Sequence, residues 1–395
     1  MRPKIDLIYI DSGGGHRAAA TALETVIRDQ QRPWDIRLHN IQDLLNSIDF
    51  IRKLTGIQFQ EVYNIMLRRG WTLGTKQLIP PMHLAIRMFH DSEVQALAGH
   101  WTEDPPDMVV SLIPHYNRAL KQALARVAPQ AALVTILTDI ADYPPHFWIE
   151  RQDQHVICGS GRAVEQARAL GYSDSRILRT SGMILSPKFY APPAIDRAAE
   201  RARLGLRPDL PTALISYGGQ GSLDAVKVAK AINSCRADVQ MIVLCGRHQE
   251  AMQKLRVLRH RVPVHLQGFT SDVPFFMGLA DFFIGKPGPG SISEALAMHL
   301  PVIVKRNPWT LAHERYNADW IVEQQVGMVV GRSSHIGYAV TDLLSPERYA
   351  RFQANAAALK NSAVYEIPEL LAGILSGRSP MPVTTDHLIW AAARQ

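Results

Sequence analysis

The stretch "GKPGPGSISEALAMHLPVIV", Gly285–Val304, decides the fold. Before it runs Phe282–Ile284, short, apolar and aromatic, with the character of a buried strand. A glycine- and proline-rich loop follows, then a helical stretch, then a second β-rich run, Val302–Val304. Strand, glycine loop, helix and strand in that order make a βαβ unit of a parallel sheet. The loop falls at the strand's carboxyl end, where open α/β sheets bind ligands. Ser291 and Glu294 read as S-x-x-E, a capping box that gives both a local job at the helix start. Backbone N–H groups of Gly288, Gly290 and Ser291, in the loop that also holds Pro289, are the ones offered there to an anion, with the helix dipole behind them. A diphosphate suits such a place. Glu294, put in the first turn by this reading, is placed to accept from a ribose hydroxyl pair while also capping.

The same alternation extends outward through the chain. In the first half, Ile5–Ile10, Ile36–Asn40, Met108–Ile113, Leu133–Leu137 and His155–Cys158 read as strands. In the second half, Ala213–Tyr217, Met241–Cys245, Val264–Leu266, Phe282–Ile284 and Val302–Val304 do the same. Helical stretches lie between them, so the fold class is α/β, with two doubly wound, Rossmann-like domains. The expected division is an N-terminal domain over residues 1–185, a proline-rich linker over 186–211 and a second domain over 212–370. Residues 371–395 form a tail able to pack back on the first domain. In the second half "ISYGGQGS", Ile215–Ser222, places Gly218, Gly219, Gly221 and Ser222 between a strand and a helix, where bare backbone approaches phosphate. Gly268 and Phe269 are candidates to hold a flat base, with Phe269 equally suited to the core. In the first half "DSGGGHRAAA", residues 11–20, sets His16 directly after a run of glycines.

Bulk properties exclude several function classes. With 395 residues, 47% hydrophobic and 20% charged, the chain is an ordinary globular protein long enough for two cores. Three cysteines without C-x-x-C spacing argue against a disulfide framework or a zinc site and fit a reducing cytoplasm. No signal peptide and no apolar run of about 20 residues is read. The net charge of +7 leaves open nucleic acid, an anionic membrane surface, or simply scattered solvated charge. Between Ile51 and His90 six basic residues face one acid and are interleaved with apolar and aromatic side chains. That mixture, with Arg68, Arg69 and Trp71 at its centre, suits a membrane-facing insertion at about 50–90, or a helical subdomain with an ordinary core. No nucleic-acid module accompanies the charge, so nucleic acid is not an expected partner.

"GFTSDVPFFMGLADFFIGKPGPGSISEALAMHLPVIV" resembles the donor-nucleotide signature of the GT-B glycosyltransferases. The similarity is to the family 28-like branch that holds monogalactosyldiacylglycerol synthase and the GlcNAc transferase of peptidoglycan lipid-intermediate synthesis. "DSGGGHRAAATAL", "VTILTDIADYPPHFWIERQDQHVICGS" and "RTSGMILSPKFY" resemble the family's N-terminal motifs in the right order. The resemblance implies two domains facing each other across a cleft, and an inverting transfer of a hexose from a UDP-sugar to a lipid such as diacylglycerol. It makes His16 the first candidate base, with Asp139 orienting it or serving as base itself. Gly14, Gly15, His146 and Trp148 fall to the acceptor, with His115 and Asn117 near them. Glu314, Arg315 and Asn317 in "NPWTLAHERYNADWIVEQQVG" fall to the donor sugar. No cofactor and no metal are expected, because Asp-x-Asp is absent and backbone donors face the diphosphate. The implied setting is cytoplasmic, peripherally on the inner face of the cell membrane, whose anionic surface is then a partner. The alternatives are a UDP-GlcNAc 2-epimerase-like enzyme on the same scaffold, or a glycosyltransferase with a non-lipid acceptor.

Overall fold

A computed structural model describes residues 2–11, 14–45, 89–191, 195–235 and 237–377. Arg68, Arg69 and Trp71, with nearly all of the expected insertion, lie outside the described residues, as does the tail beyond 377. The chain divides into two compact units. The first runs to Pro187 and resumes at Asn361, and the second takes Lys188–Lys360.

In the first unit the strands are β1 (Lys4–Tyr9), β2 (Asp35–Asn40), β3 (Met108–Ser111), β4 (Ala132–Ile136), β5 (His155–Cys158) and β6 (Ile177–Arg179). They form one parallel sheet in the order β2-β1-β3-β4-β5-β6. The second unit holds β7 (Thr212–Ser216), β8 (Gln240–Leu244), β9 (Val264–Gln267), β10 (Phe282–Gly285), β11 (Val302–Lys305) and β12 (Gly327–Val330). Its parallel order is β12-β11-β10-β7-β8-β9, the doubly wound arrangement in which chain direction reverses beside the first strand. The reversal lies between β7 and β10, so the loops leaving those two strands open at one switch point. In the first unit the corresponding place is between β1 and β3.

Both sheets are covered on two faces, which explains the unbroken burial of β3, β8 and β10. The helix Gly15–Asp29 buries Ala19, Ala20, Leu23, Val26 and Ile27, a stripe at helical spacing. Against it lies the helix Ala363–Leu375, whose Ile367, Leu370 and Leu371 join the same core. Full burial of each of these three contributes about 2 kcal/mol. Glu366 accepts from the Ser181 N–H at 2.8 Å and Arg32 pairs with Glu369 at 2.8 Å. This helix, most of which the sequence reading gave to the second domain, therefore belongs to the first unit.

A second difference concerns the helix after β10. It begins at Pro289 with Gly288 as its cap residue and no side-chain cap. Proline suits the first helical position because its φ is pre-set and its missing N–H is not needed there. Ser291 thus lies inside the helix, Glu294 sits in the second turn, and the capping box does not form.

Candidate active site

At the switch point of the first unit, Gly14 turns the chain with φ +86°, and helix Gly15–Asp29 starts at once. His16 is therefore held in the first turn, half-buried. Its Nδ1 lies 2.9 Å from the Leu112 carbonyl oxygen and 3.0 Å from Thr138 Oγ1. A carbonyl oxygen can only accept, so Nδ1 carries the proton of the neutral ring and the lone pair sits on Nε2. That is the tautomer a general base needs. The ring centre stands 5.8 Å from that of Trp148, which is fully buried.

Asp139 is buried and accepts from Trp148 Nε1 at 2.8 Å. The groups that orient His16 at Nδ1 are thus Leu112 and Thr138, while Asp139 fixes the indole beside it. The turn carrying His146 and Trp148 is tied by a second carboxylate. Asp142 accepts from the Trp148 N–H at 2.7 Å and the His146 N–H at 3.2 Å. Burial nevertheless pushes Asp142 up to about 6 against those backbone donors. His146 is exposed at φ +62°, and the half-buried His115, at φ +71°, packs edge-on to Phe147 with ring centres 4.2 Å apart. Asn117 is fully buried and donates to the Trp148 and Ile113 carbonyls, a structural role.

At the switch point of the second unit the glycine loop after β7 interlocks with the turn after β8. Gly221, at φ +71°, lies so close to the Cys245 carbonyl that a Cβ there would stand 2.0 Å from its oxygen. The Arg247 N–H donates to the Gly219 carbonyl at 3.0 Å, and Ser222 Oγ accepts from the Asp224 N–H at 3.1 Å. Phe269 is 51% exposed, which removes it from the core. The Arg247 guanidinium covers its ring at 3.8 Å from the centroid, and the ring edge approaches Gly219. The flat surface near Gly268 is therefore a composite of Phe269 and Arg247 (a stacked cation, as arginine readily provides).

The loop after β10 is clamped from the segment after β11. Asn317 Nδ2 donates to the Pro287 carbonyl at 2.8 Å, and Glu314 accepts from Lys286 Nζ at 2.6 Å. Glu314 is buried, whereas the Lys286 side chain is 37% exposed. Burial opposes the charged carboxylate, but the charges of Lys286 and His313 and the lysine hydrogen bond outweigh it and hold Glu314 below the usual range. Arg315 donates to the Asn307 carbonyl at 3.1 Å and so braces the neighbouring loop. Pro289 has no N–H, leaving Gly290 and Ser291 as the N–H donors that point out of the helix end. Glu294, half-buried on the same helix, is pushed up to about 7 by burial.

Apart from Arg68, Arg69 and Trp71, which lie outside the described residues, the expected residues gather at two strand-end poles, one in each unit. Thr138, Arg247 and Lys286 are additions that the sequence reading passed over. Lys286 stands inside the very stretch quoted first, and Arg247 follows β8 in a strand–glycine–cation turn, "LCGRHQ". Leu112 acts through its carbonyl, which no side-chain pattern can announce.

Residues 212–370 match the model of the glycosyltransferase family 28 C-terminal domain. Monogalactosyldiacylglycerol synthase 1 of Arabidopsis thaliana is 26% identical over 407 residues, spanning 96% of this chain and 73% of that one. Among solved structures, MurG of Acinetobacter baumannii superposes with a TM-score of 0.62 at 12% identity, covering 94% of this chain and 99% of that one. HepE of Anabaena in complex with UDP and glucose gives a TM-score of 0.55 at 16% identity, covering 95% and 100%. At such identities the structural likeness speaks for the fold, and it agrees with the two doubly wound sheets. Residues 212–370 belong to glycosyltransferase family 28, and the chain is a glycosyltransferase of the GT-B fold class.

Proposed function

We propose that this protein transfers a hexose from a UDP-sugar to a lipid hydroxyl, such as that of diacylglycerol, with inversion at the anomeric carbon. The observation that carries this reading is the similarity over 96% of the chain to an enzyme named as a monogalactosyldiacylglycerol synthase. The two poles give each step a residue. His16 Nε2 takes the proton as the acceptor oxygen bonds to the anomeric carbon, and the sugar–phosphate bond breaks with its electron pair leaving on UDP. The Gly290 and Ser291 N–H groups, with Lys286 and Arg247, neutralise the departing diphosphate without a metal. Glu294 holds the ribose, the composite of Phe269 and Arg247 backs the base, and Glu314 with Asn317 addresses the sugar. Gly14, Gly15, His146 and Trp148 border the acceptor.

The protein works at the anionic inner face of the cell membrane, docked through the basic and apolar segment around Arg68, Arg69 and Trp71. Among the described residues no helix is long and apolar enough to cross a membrane, which is compatible with peripheral docking. The test is a set of radiolabelled UDP-sugars offered with diacylglycerol in anionic vesicles, followed by chromatography of the lipid phase. Label in a single glycolipid supports the proposal. Label confined to water-soluble products overturns it, and acceptor-free conversion of UDP-GlcNAc would favour an epimerase.

A further inference from the structure

One polar cluster of the first unit has no part in the transfer chemistry. Asp6 of β1, His39 of β2 and His100 on the helix over residues 89–101 offer one oxygen and two imidazole nitrogens, all within 4.8 Å of one another. These residues are far apart in sequence and none belongs to a recognisable ligand motif. The cysteine count, which argued against zinc, says nothing about a site built from histidine and aspartate.

Asp6 is fully buried and His39 mostly so, while His100 is exposed. His39 Nε2 stands 3.5 Å from Asp6 Oδ2. It is shielded from solvent yet makes no hydrogen bond. That spacing is long for a hydrogen bond. Two ligands each about 2.0–2.1 Å from one tetrahedral zinc are roughly 3.3 Å apart, which is close to what is observed. Asp6 also has the outer support that ligating carboxylates have. Trp101 Nε1 donates to Oδ2 at 2.8 Å, and Arg37 Nε donates to Oδ1 at 2.5 Å. The His39 and His100 rings meet edge to face with centroids 4.9 Å apart. The exposed position of His100 supplies a path for an ion and the freedom to close the remaining gap.

We propose that Asp6, His39 and His100 bind a zinc-class divalent cation. Two imidazoles and one carboxylate select zinc, cobalt or nickel over magnesium and calcium, which take all-oxygen sites. The three ligands come from β1, β2 and the helix over 89–101, so the ion would fasten that helix to the sheet edge. Arg37 limits the affinity because its charge opposes the ion. Its second partner, Asp104, offsets part of that opposition.

The experiment uses the full chain, stripped with a chelator, desalted and titrated with zinc chloride against a chromophoric competitor. A parallel titration with cobalt reads the ligand-field bands of a tetrahedral nitrogen–oxygen site. One equivalent bound by the wild type, weakened about tenfold or more by His39→Gln and by His100→Gln, supports the assignment. His100→Gln lies on the surface and keeps the test open if His39→Gln fails to fold. Absence of stoichiometric binding by the folded wild type, or binding unchanged in His100→Gln, overturns it and leaves a metal-free Asp–Arg–His network.

Discussion

The Glu294 carboxyl gives the most quantitative test of the donor pole. Burial pushes it up to about 7 from an ordinary 4.5 in the free protein. A ribose diol that donates both hydroxyls to it favours the ionised form, so the group falls back toward 4.5 in the complex. Binding then releases a proton, and affinity must rise with pH between the two values and level off above 7. A full return predicts a rise of about 70-fold between about pH 5 and about pH 8, and a fall of a single unit still predicts about eightfold. Uridine is the right ligand, because UDP carries a phosphate that titrates in the same window. Affinity is read by ligand-observed nuclear magnetic resonance, with Glu294→Gln as the comparison. The wild-type slope should be absent in the variant. The same carboxyl holds its proton more tightly folded than unfolded, so it withdraws stability as pH climbs from 4.5 through 7. Glu294→Gln should accordingly melt higher than wild type at about pH 8, with the gap closing near the unfolded value. A flat pH profile for uridine, or the same slope in both proteins, refutes the ribose assignment.

His16→Asn keeps a donor for the Leu112 carbonyl but removes the lone pair. Turnover should fall by about 10²–10⁴ while UDP affinity stays within a few-fold, and retention of a tenth of the activity would remove His16 as base. Lys286→Met strands the buried Glu314 carboxylate and, with the lysine itself partly in solvent, should destabilise the protein by about 1–3 kcal/mol. In urea titrations the double variant Lys286→Met with Glu314→Gln should recover most of that loss, yet neither should regain transfer; simple additivity would show that the pair is not coupled. Arg247→Ala should weaken UDP binding and flatten its dependence on ionic strength, as loss of a partly solvated cation does. An unaltered salt dependence would assign Arg247 to packing on Phe269 alone.

What the sequence disclosed and what it hid separate along physical lines. Among the described residues ten of the twelve strands follow from short apolar or β-rich runs, eight of them because central strands covered on both faces are largely apolar. The two that escaped notice, β6 and β12, are edge strands with one neighbour each, and their residues "ILR" and "GMVV" carry little signal. The helix start at Pro289 was misplaced because S-x-x-E competed with proline at the first helical position, and the proline prevailed. At the site, glycines and titratable side chains stand out in the sequence. The Leu112 carbonyl, the Thr138 hydroxyl and the Arg247–Phe269 stack depend on tertiary placement and do not. The cluster of Asp6, His39 and His100 is illegible for the same reason, being assembled by strand pairing and a distant helix.

The return of the chain to the first unit at Asn361 has a consequence for synthesis. The face formed by Ala19, Leu23 and Ile27 is covered by side chains that emerge from the ribosome more than three hundred residues later. The second unit is in effect a complete domain spliced into the first, and it can fold while the first still waits for its last helix. A nascent or truncated chain ending before that helix would present an open apolar strip beside the loop that carries His16. The helix whose first turn holds His16 thus gains its last packing partner only when residues 363–375 have been made.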